Sequence, residues 1–121
     1  MSPEARAWSD RYIAKMQAPP TSYNAGCYAA VTHWLKAVKA ANTLDADAVA
    51  AKMHATPLDD FYNKDVRIEA NGCVPHAMYL WQVKPPAESK HKWDVFTQLA
   101  TIPSPQAYPP PGLFGCPLVP T

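Results

Sequence analysis

Apolar residues recur every three to four positions near the start of the chain, at Ala5, Trp8, Tyr12 and Met16. The triplet Ser2–Glu4 supplies a capping serine, a proline at the first helical position and an acid in the first turn. This pattern predicts an amphipathic helix. The segment Ala18–Pro20 ends it, because two successive prolines cannot continue a helix.

A second helix is predicted from a cap at Thr21 or Ser22 to about Ala41. Apolar residues at helical spacing predict its buried stripe, which consists of Tyr28, Val31, Leu35 and Val38, with Cys27 and Trp34 alongside. Polar residues predict its solvent-facing side, which consists of Thr32, His33, Lys36 and Lys39.

The middle of the chain predicts one more helix and a hairpin. Asp45 is a cap for a helix over residues 46–54. Residues 66–69 are typical of a strand, and the Ala-Asn-Gly turn at 70–72 suits a tight reversal. The return strand is predicted over residues 74–83, where large apolar and aromatic side chains alternate.

Proline dominates the remainder of the chain. Nine of the fourteen prolines lie from Pro85 onward, and Pro109–Pro111 can join neither a helix nor a central strand. Residues 93–101 predict one short extended piece. The rest is expected to be a tail that lies over another surface.

Composition narrows the class of protein. The length of 121 residues suits one domain, and alanine supplies much of the 48% apolar content, so a thin core is expected. A net charge of +1 with scattered basic residues argues against nucleic acid as a partner. No apolar run is long enough to cross a membrane. Residues 1–17 lack the pattern of a signal peptide, so the chain as it stands is expected in the cytoplasm.

The cysteines Cys27, Cys73 and Cys116 lie far apart and lack the spacing of a zinc or redox motif. Because their number is odd, at least one thiol is free or pairs outside the chain. The simpler interpretation is that they are buried or idle thiols.

The sequence argues against a zinc site. Cys73 and His76 have a C-x₂-H spacing, with His54, Asp59 and Asp60 as further donors. Zinc requires four convergent ligands, and positions three apart on a strand point to opposite faces. Catalytic motifs are missing as well: the sequence has no nucleophile elbow, phosphate loop or convincing carboxylate pair. We therefore predict neither enzyme activity nor a cofactor.

Five stretches carry a family resemblance. They are AGCYAAVTHWLKAVKAA (25–41), DADAVAAKM (45–53), MYLWQVKPPAESK (78–90), WDVFTQLATIP (93–103) and GCPLV (115–119). Together they resemble the C-terminal segment of the type I periplasmic solute-binding proteins of ABC importers, the relatives of leucine/isoleucine/valine-binding protein. The likeness is greatest to a subgroup associated with aromatic acids.

The resemblance implies a partial periplasmic binding protein fold of α/β origin, mostly α-helical in this segment, with a short antiparallel hairpin and a Pro-rich tail. Residues 1–84 would be the C-terminal part of the first lobe and would end in the final crossover strand. Residues 85–121 would be an extended tail on the other lobe. The family's location is the periplasm, its partner is an ABC permease, and Cys116 would pair with a cysteine outside this segment.

The resemblance also implies the candidate ligand-binding residues. Tyr28 matches an aromatic position that lines the cleft, where its ring could stack on a ligand and its hydroxyl could bind a carboxylate. Asn24, Ala25 and Gly26 open the same helix, whose N-terminal dipole and N–H groups favour an anion. The alternative is an ordinary packing role for Tyr28 and an ordinary helix start. The expected ligand is a small carboxylate, either an aromatic acid or a branched-chain amino acid.

A second hypothesis follows from what this segment would lack. In the family fold its apolar surfaces would pack on sheets that lie outside it. The segment is therefore expected to bury these surfaces by forming a homo-oligomer. The alternative function is then a self-associating protein with a structural or interaction role and no retained ligand binding.

Overall fold

In the computed structural model, residues 2–119 are described, and they divide into two units, residues 2–69 and residues 70–119. The first unit is helical and the second is built on a two-stranded sheet. Each unit is described by itself. The assignment of residues 1–84 and 85–121 to the two lobes of the family fold stays a prediction.

Helix α1 spans Pro3–Met16. The Ser2 hydroxyl oxygen accepts a hydrogen bond from the Ala5 N–H at 3.1 Å. At the other end, Gln17 adopts a left-handed conformation with φ of 56° and donates its N–H to the Ile13 carbonyl. These two caps satisfy backbone groups that a helix end leaves open, and they confirm the predicted limits.

Helix α2 spans Ser22–Ala41, and helix α3 spans Ala46–Ala55. Asp45 caps α3 by accepting the Ala48 N–H at 2.9 Å. Both helices lie where the sequence predicts them, α3 extending one residue further, because each is bounded by a strong cap and a breaking signal.

The buried face of α2 differs from the predicted one. The residues of α2 that are buried are Ala25, Ala29, His33 and Ala37. The predicted stripe is wrong for this chain, since Tyr28, Val31 and Leu35 are exposed and Val38 is only half-buried. His33, predicted to face solvent, is 5% exposed.

The reason is that small residues bring α2 close to α3. Residues spaced by four form a continuous ridge, and alanines along this ridge permit a close helix contact. His33 fits between the helices because its Nε2 bonds the Met53 carbonyl at 3.1 Å, which requires Nε2 to carry the proton. Val31 lies about 200° around the axis from Ala29, at about 100° per residue. Helix α2 therefore carries two apolar faces, and the alanine face is the buried one.

The sheet pairs strands other than the predicted ones. Strand β1, Met78–Val83, pairs antiparallel with β2, Phe96–Ile102, and the register shifts between Leu80 and Trp81. The predicted strand over residues 66–69 is wrong, because Val66 forms only an isolated bridge with Leu58. The extended piece predicted over residues 93–101 is the actual partner of β1.

The connection between the strands is held by a charged pair. Lys84 Nζ lies 2.7 Å from Asp94 Oδ1, and the Lys90 N–H donates to Asp94 Oδ2 at 3.1 Å. A 3₁₀ turn over Pro86–Glu88 occupies the connection, and Gly72, with φ of 82°, sits in the turn predicted before β1. After β2 the chain forms a short helix α4, Ser104–Ala107, and then turns.

The core is thin, as alanine content predicts, and it lies wholly in the first unit. Of residues 2–119, those that are buried are Trp8, Ala25, Ala29, His33, Ala37, Val49, Leu58 and Asn63. No described residue from 70 onward is buried, although this part contains Trp81, Trp93 and Phe96. The second unit thus has no core of its own.

Candidate functional site

The start of helix α2 is organised by a capping box. The Thr21 hydroxyl accepts the Asn24 N–H at 3.4 Å, and the Asn24 side-chain oxygen accepts the Thr21 N–H at 2.9 Å. The same oxygen also accepts the Thr21 hydroxyl proton at 2.9 Å. This reciprocal pair fixes the direction of the helix and the side chain of Asn24.

The capping box determines which donors remain for an anion. The Asn24 N–H is used by the cap, and the Ala25 N–H bonds the Thr21 carbonyl at 3.2 Å. The first two helical residues, Ser22 and Tyr23, carry the N–H groups that the first turn of a helix leaves open. An anion at this terminus would therefore meet those two donors, together with the positive end of the helix dipole.

Gly26 leaves open space beside the start of the helix. A Cβ placed on it would meet no atom within 4 Å. Gly26 has an ordinary helical conformation, so no strain requires a glycine here. The space beside it is accessible to a ligand atom, whereas Ala25 is buried.

Tyr28 belongs to an aromatic cluster that we define by Trp8, Tyr12, Tyr28 and Phe61. Trp8 and Phe61 stack with ring centroids 4.4 Å apart and 12° between the planes. Tyr28 meets both rings edge-on, at 5.7 Å from Trp8 and 5.6 Å from Phe61. Edge-to-face and stacked pairs at these distances are favourable and hold the Tyr28 ring in one orientation.

Tyr28 nevertheless keeps an open side, since it is 49% exposed. It lies four residues after Asn24, so both side chains are on the same face of α2. Two of the four predicted site residues thus share one face, and Gly26 lies half a turn from each of them. The packing and ligand-contact interpretations of Tyr28 are compatible, because one edge packs while the other remains accessible.

Phe61 and Trp8 are the members of the cluster that sequence reasoning did not connect with Tyr28. Trp8 was visible as part of the apolar stripe of α1, but Phe61 lies in an irregular segment with no periodic signal. Asp60 orders this segment, because its Oδ1 accepts the N–H groups of Tyr62 and Asn63, both at 2.7 Å. Such a turn brings an aromatic residue to a site without any helix or strand pattern.

An ion pair joins the same segment to α1. Lys64 Nζ lies 2.7 Å from Glu4 Oε2 and 3.5 Å from Asp59 Oδ1. The hydrogen bond to Glu4, followed by the charges of Glu4 and Asp59, raises the pKa of Lys64 above its ordinary value. All three groups are exposed, so the contribution to stability is small. The ion pair links the segment that carries Phe61 to the helix that carries Trp8.

The other candidates do not converge. Within residues 2–119, no group of three or more His, Cys, Asp or Glu side chains is placed to hold a metal ion. His76 bonds the Val74 carbonyl and the Tyr108 hydroxyl through Nδ1, at 2.9 and 3.3 Å. Cys73 donates its N–H to Asn71 Oδ1 at 2.9 Å. In the part of the chain that the structure describes, no helix is both long and apolar enough for a bilayer.

Comparison with known proteins places these features in a family. The periplasmic binding protein family model matches residues 1–92. The chain therefore belongs to the periplasmic binding protein family, a class of solute-binding proteins and not of enzymes. No curated protein matches the chain.

Two solved structures are similar over almost the whole chain. One is a periplasmic binding protein from Burkholderia mallei, with 44% identity over 89% of this chain and a TM-score of 0.83. The other, from Burkholderia xenovorans LB400, is a branched-chain amino acid ABC transporter periplasmic ligand-binding protein, with 34% identity over 91% and a TM-score of 0.85. The fold class expected from the sequence is confirmed.

The match covers only part of each relative. This chain corresponds to 28% of the Burkholderia mallei protein and 29% of the Burkholderia xenovorans protein. It thus spans less than a third of the length of the solved relatives. In those relatives the matched segment is one part of a longer chain.

Proposed function

We propose that this chain is part of the solute-binding component of an ABC importer and that it contributes one wall of a site for a small carboxylate. The ligand class is an aromatic acid or a branched-chain amino acid, the protein acts in the periplasm, and the receiving partner is an ABC permease. The chain performs no covalent chemistry and uses no cofactor.

The observation that carries the proposal is the placement of Tyr28. Its ring is oriented by the Trp8–Phe61 stack and is half-exposed, and it lies about one and a half to two helical turns from the start of α2. An apolar ring beside a positive helix end suits a ligand that has both an apolar body and a carboxylate. The relative from Burkholderia xenovorans, whose name specifies a branched-chain amino acid transporter, supports the same ligand class.

Calorimetric titration of the chain with benzoate and with leucine tests the proposal. One wall leaves most of a ligand in water, so we expect a dissociation constant on the order of 1 mM, about −4 kcal/mol. Tyr28→Ala should remove the heat, and Tyr28→Phe should retain part of it, because the ring contact survives without the hydroxyl.

Tyr23→Ala is the matched control for Tyr28→Ala. Tyr23 lies on the same helix and is 83% exposed, so its ring is not part of the aromatic cluster. The Tyr23→Ala variant should bind each ligand with the same heat as the unmodified chain, since residue 23 offers the proposed anion only its backbone N–H. Equal heats for Tyr28→Ala and the unmodified chain, or no heat with either ligand, would contradict the proposed site.

Gly26→Ala probes the open space independently of the ring. It should leave the helix intact, or stabilise it by up to about 1 kcal/mol, because alanine is the better helix former. Because Gly26 lies half a turn around the helix from Tyr28, the added methyl group should weaken binding several-fold only if the ligand also extends into the space beside Gly26. Unchanged affinity in a stabilised variant would remove Gly26 from the site.

The second apolar face of α2 favours the alternative function, a self-associating protein. Val31, Trp34 and Leu35 are exposed on one side of the helix, opposite its buried alanine face. A single apolar stripe suits a symmetric helix pair with a second copy. Light scattering coupled to size exclusion tests this: a dimer that Leu35→Lys converts to a monomer supports it, and a monomeric unmodified chain rejects it.

A further inference from the structure

The turn that precedes β1 places an asparagine directly before an exposed glycine. Asn71 Oδ1 accepts the Cys73 N–H at 2.9 Å, which closes an Asx turn around the peptide bond between Asn71 and Gly72. Gly72 has φ of 82°, a conformation that glycine adopts readily. Asn71 is half-buried, whereas Gly72 is exposed, so water reaches the backbone of the turn.

This turn activates the Asn71 side chain toward the backbone that follows it. The Asx turn folds the side-chain carbonyl back toward the Gly72 peptide group, which brings Asn71 Cγ near the Gly72 nitrogen. The Cys73 N–H donates to Oδ1, where negative charge develops when a nucleophile adds to Cγ. A donor fixed in that position stabilises the developing charge and so lowers the barrier to addition.

The approach to Asn71 Cγ is also open on the side of the attacking atom. A Cβ placed on Gly72 would meet no atom within 4 Å, so the space around this residue is empty of other groups. In any other residue type a side chain would stand beside the backbone nitrogen. Because glycine has none, its nitrogen reaches Cγ without steric hindrance.

We propose that Asn71 is a site of spontaneous deamidation that the folded turn promotes. The Gly72 nitrogen loses its proton to solvent and forms a bond to Asn71 Cγ, and the side-chain amide nitrogen leaves as ammonia. The product is a cyclic succinimide. Water then opens the ring at Cγ to give aspartate, or at the main-chain carbonyl carbon to give isoaspartate. The net reaction consumes one water molecule and releases one molecule of ammonia.

Both products change the start of the second unit, two residues after Glu69. Each adds a carboxylate that is ionised at neutral pH, which lowers the formal net charge from +1 to zero. Aspartate keeps a side-chain oxygen as an acceptor for the Cys73 N–H. In isoaspartate the backbone runs through Cγ, so that oxygen belongs to the main chain and the Asx turn is lost. This modification is independent of the proposed ligand site.

The chain contains its own controls, three further asparagines that are each followed by a residue with a side chain: Asn24, Asn42 and Asn63. The Asn24 side-chain oxygen is held in the capping box, and Asn63 is 3% exposed. Incubation of the full chain near neutral pH over several days, followed by peptide mapping with mass spectrometry, measures all four rates. Asn71 should convert at least about tenfold faster than each of the others, which corresponds to a barrier lower by about 1.4 kcal/mol. Electron-transfer fragmentation identifies the isoaspartate product.

Three variants separate the effect of the glycine from that of the hydrogen bond. Gly72→Ala should slow conversion to the rate of the other asparagines in native buffer and also in guanidinium chloride, where a strained φ at residue 72 has no effect. Cys73→Pro removes the N–H donor and should slow conversion several-fold in native buffer only. Cys73→Ser is its matched control, since it keeps the N–H and should convert at the rate of the unmodified chain.

The unmodified chain should convert faster in native buffer than in guanidinium chloride, because only the folded turn holds the donor on Oδ1. Equal rates in the two conditions, or a faster rate in guanidinium chloride, would overturn the inference, since the fold would then promote nothing. Conversion of Asn71 at the rate of the other asparagines would overturn it as well. Equal native rates for Cys73→Pro and Cys73→Ser would refute the activation by the hydrogen bond.

Discussion

The indole ring of Trp8 and the phenyl ring of Phe61 stack with 4.4 Å between centroids and 12° between planes. One belongs to α1 and the other to an irregular segment more than fifty residues later in the sequence. Tyr28 of α2 contacts both rings, so this stack joins three separate parts of the first unit. It is the main aromatic contribution to a core that otherwise consists largely of alanine.

Removal of the stack should destabilise the first unit. Trp8 is 7% exposed, and we expect Trp8→Ala to lower the free energy of unfolding by about 3 kcal/mol through lost contacts and a cavity. Urea unfolding followed by far-UV circular dichroism measures this. Trp34→Ala is the control, because Trp34 is exposed on the free face of α2 and should cost less than about 1 kcal/mol. Equal losses for the two variants would contradict the assigned core.

The contact between α2 and α3 depends on His33. His33→Ala should cost about 2 kcal/mol, because it leaves the Met53 carbonyl without its donor and opens a space between the helices. His54→Ala is the control, since His54 is exposed on α3 and should change the unfolding free energy by at most about 0.5 kcal/mol. A negligible effect of His33→Ala in urea unfolding would mean that the helices are held together by the alanine ridge alone.

The contribution of the capping box at the start of α2 to the free energy of unfolding should be measurable separately. Thr21→Ala removes the acceptor for the Asn24 N–H, and we expect a loss of about 1 kcal/mol in the free energy of unfolding. Ser22→Ala is the matched control, because Ser22 is the first helical residue and is not the cap. If both variants unfold at the same urea concentration as the unmodified chain, the capping box does not contribute to stability.

The ion pair between β1 and β2 predicts a pH dependence of the second unit. The hydrogen bond from Lys84, followed by that from the Lys90 N–H, lowers the pKa of Asp94 below its ordinary value. A folded pKa below the unfolded one gives stability that is present above the unfolded value, about 3.9, and is lost as the pH falls through the lowered value. The second unit should therefore loosen below about pH 4.

Tryptophan fluorescence tests this pH dependence, since Trp81 and Trp93 lie in the second unit. The Asp94→Asn variant should be less stable near neutral pH and should show a flatter acid titration than the unmodified chain. Glu88→Gln is the control, because Glu88 is exposed in the 3₁₀ turn and has no ion pair with Lys84. A full acid transition in Asp94→Asn would assign the transition to other carboxylates.

Sequence patterns were reliable where short-range rules act. The three long helices, the caps at Ser2 and Asp45, and the turn before β1 followed from residue type and spacing, whereas the sequence left Thr21 and Ser22 open as the cap of α2. Such rules do not predict which strand pairs with β1. Residues 66–69 and residues 96–102 both have strand character, and pairing depends on a connection through Lys84 and Asp94 that no local pattern reports.

In the candidate site, too, the local features were predictable and the contacts between distant residues were not. The start of α2 and the position of Tyr28 on it were predictable, because they depend on a cap and on helical spacing. The Trp8–Phe61 stack that orients Tyr28 was not, since it joins residues distant in sequence. By itself the sequence determined the helices, the thin core and the family resemblance. Only the tertiary structure decided which face of α2 is buried and which strands pair, because an apolar residue at helical or strand spacing specifies a face but not the surface that covers it.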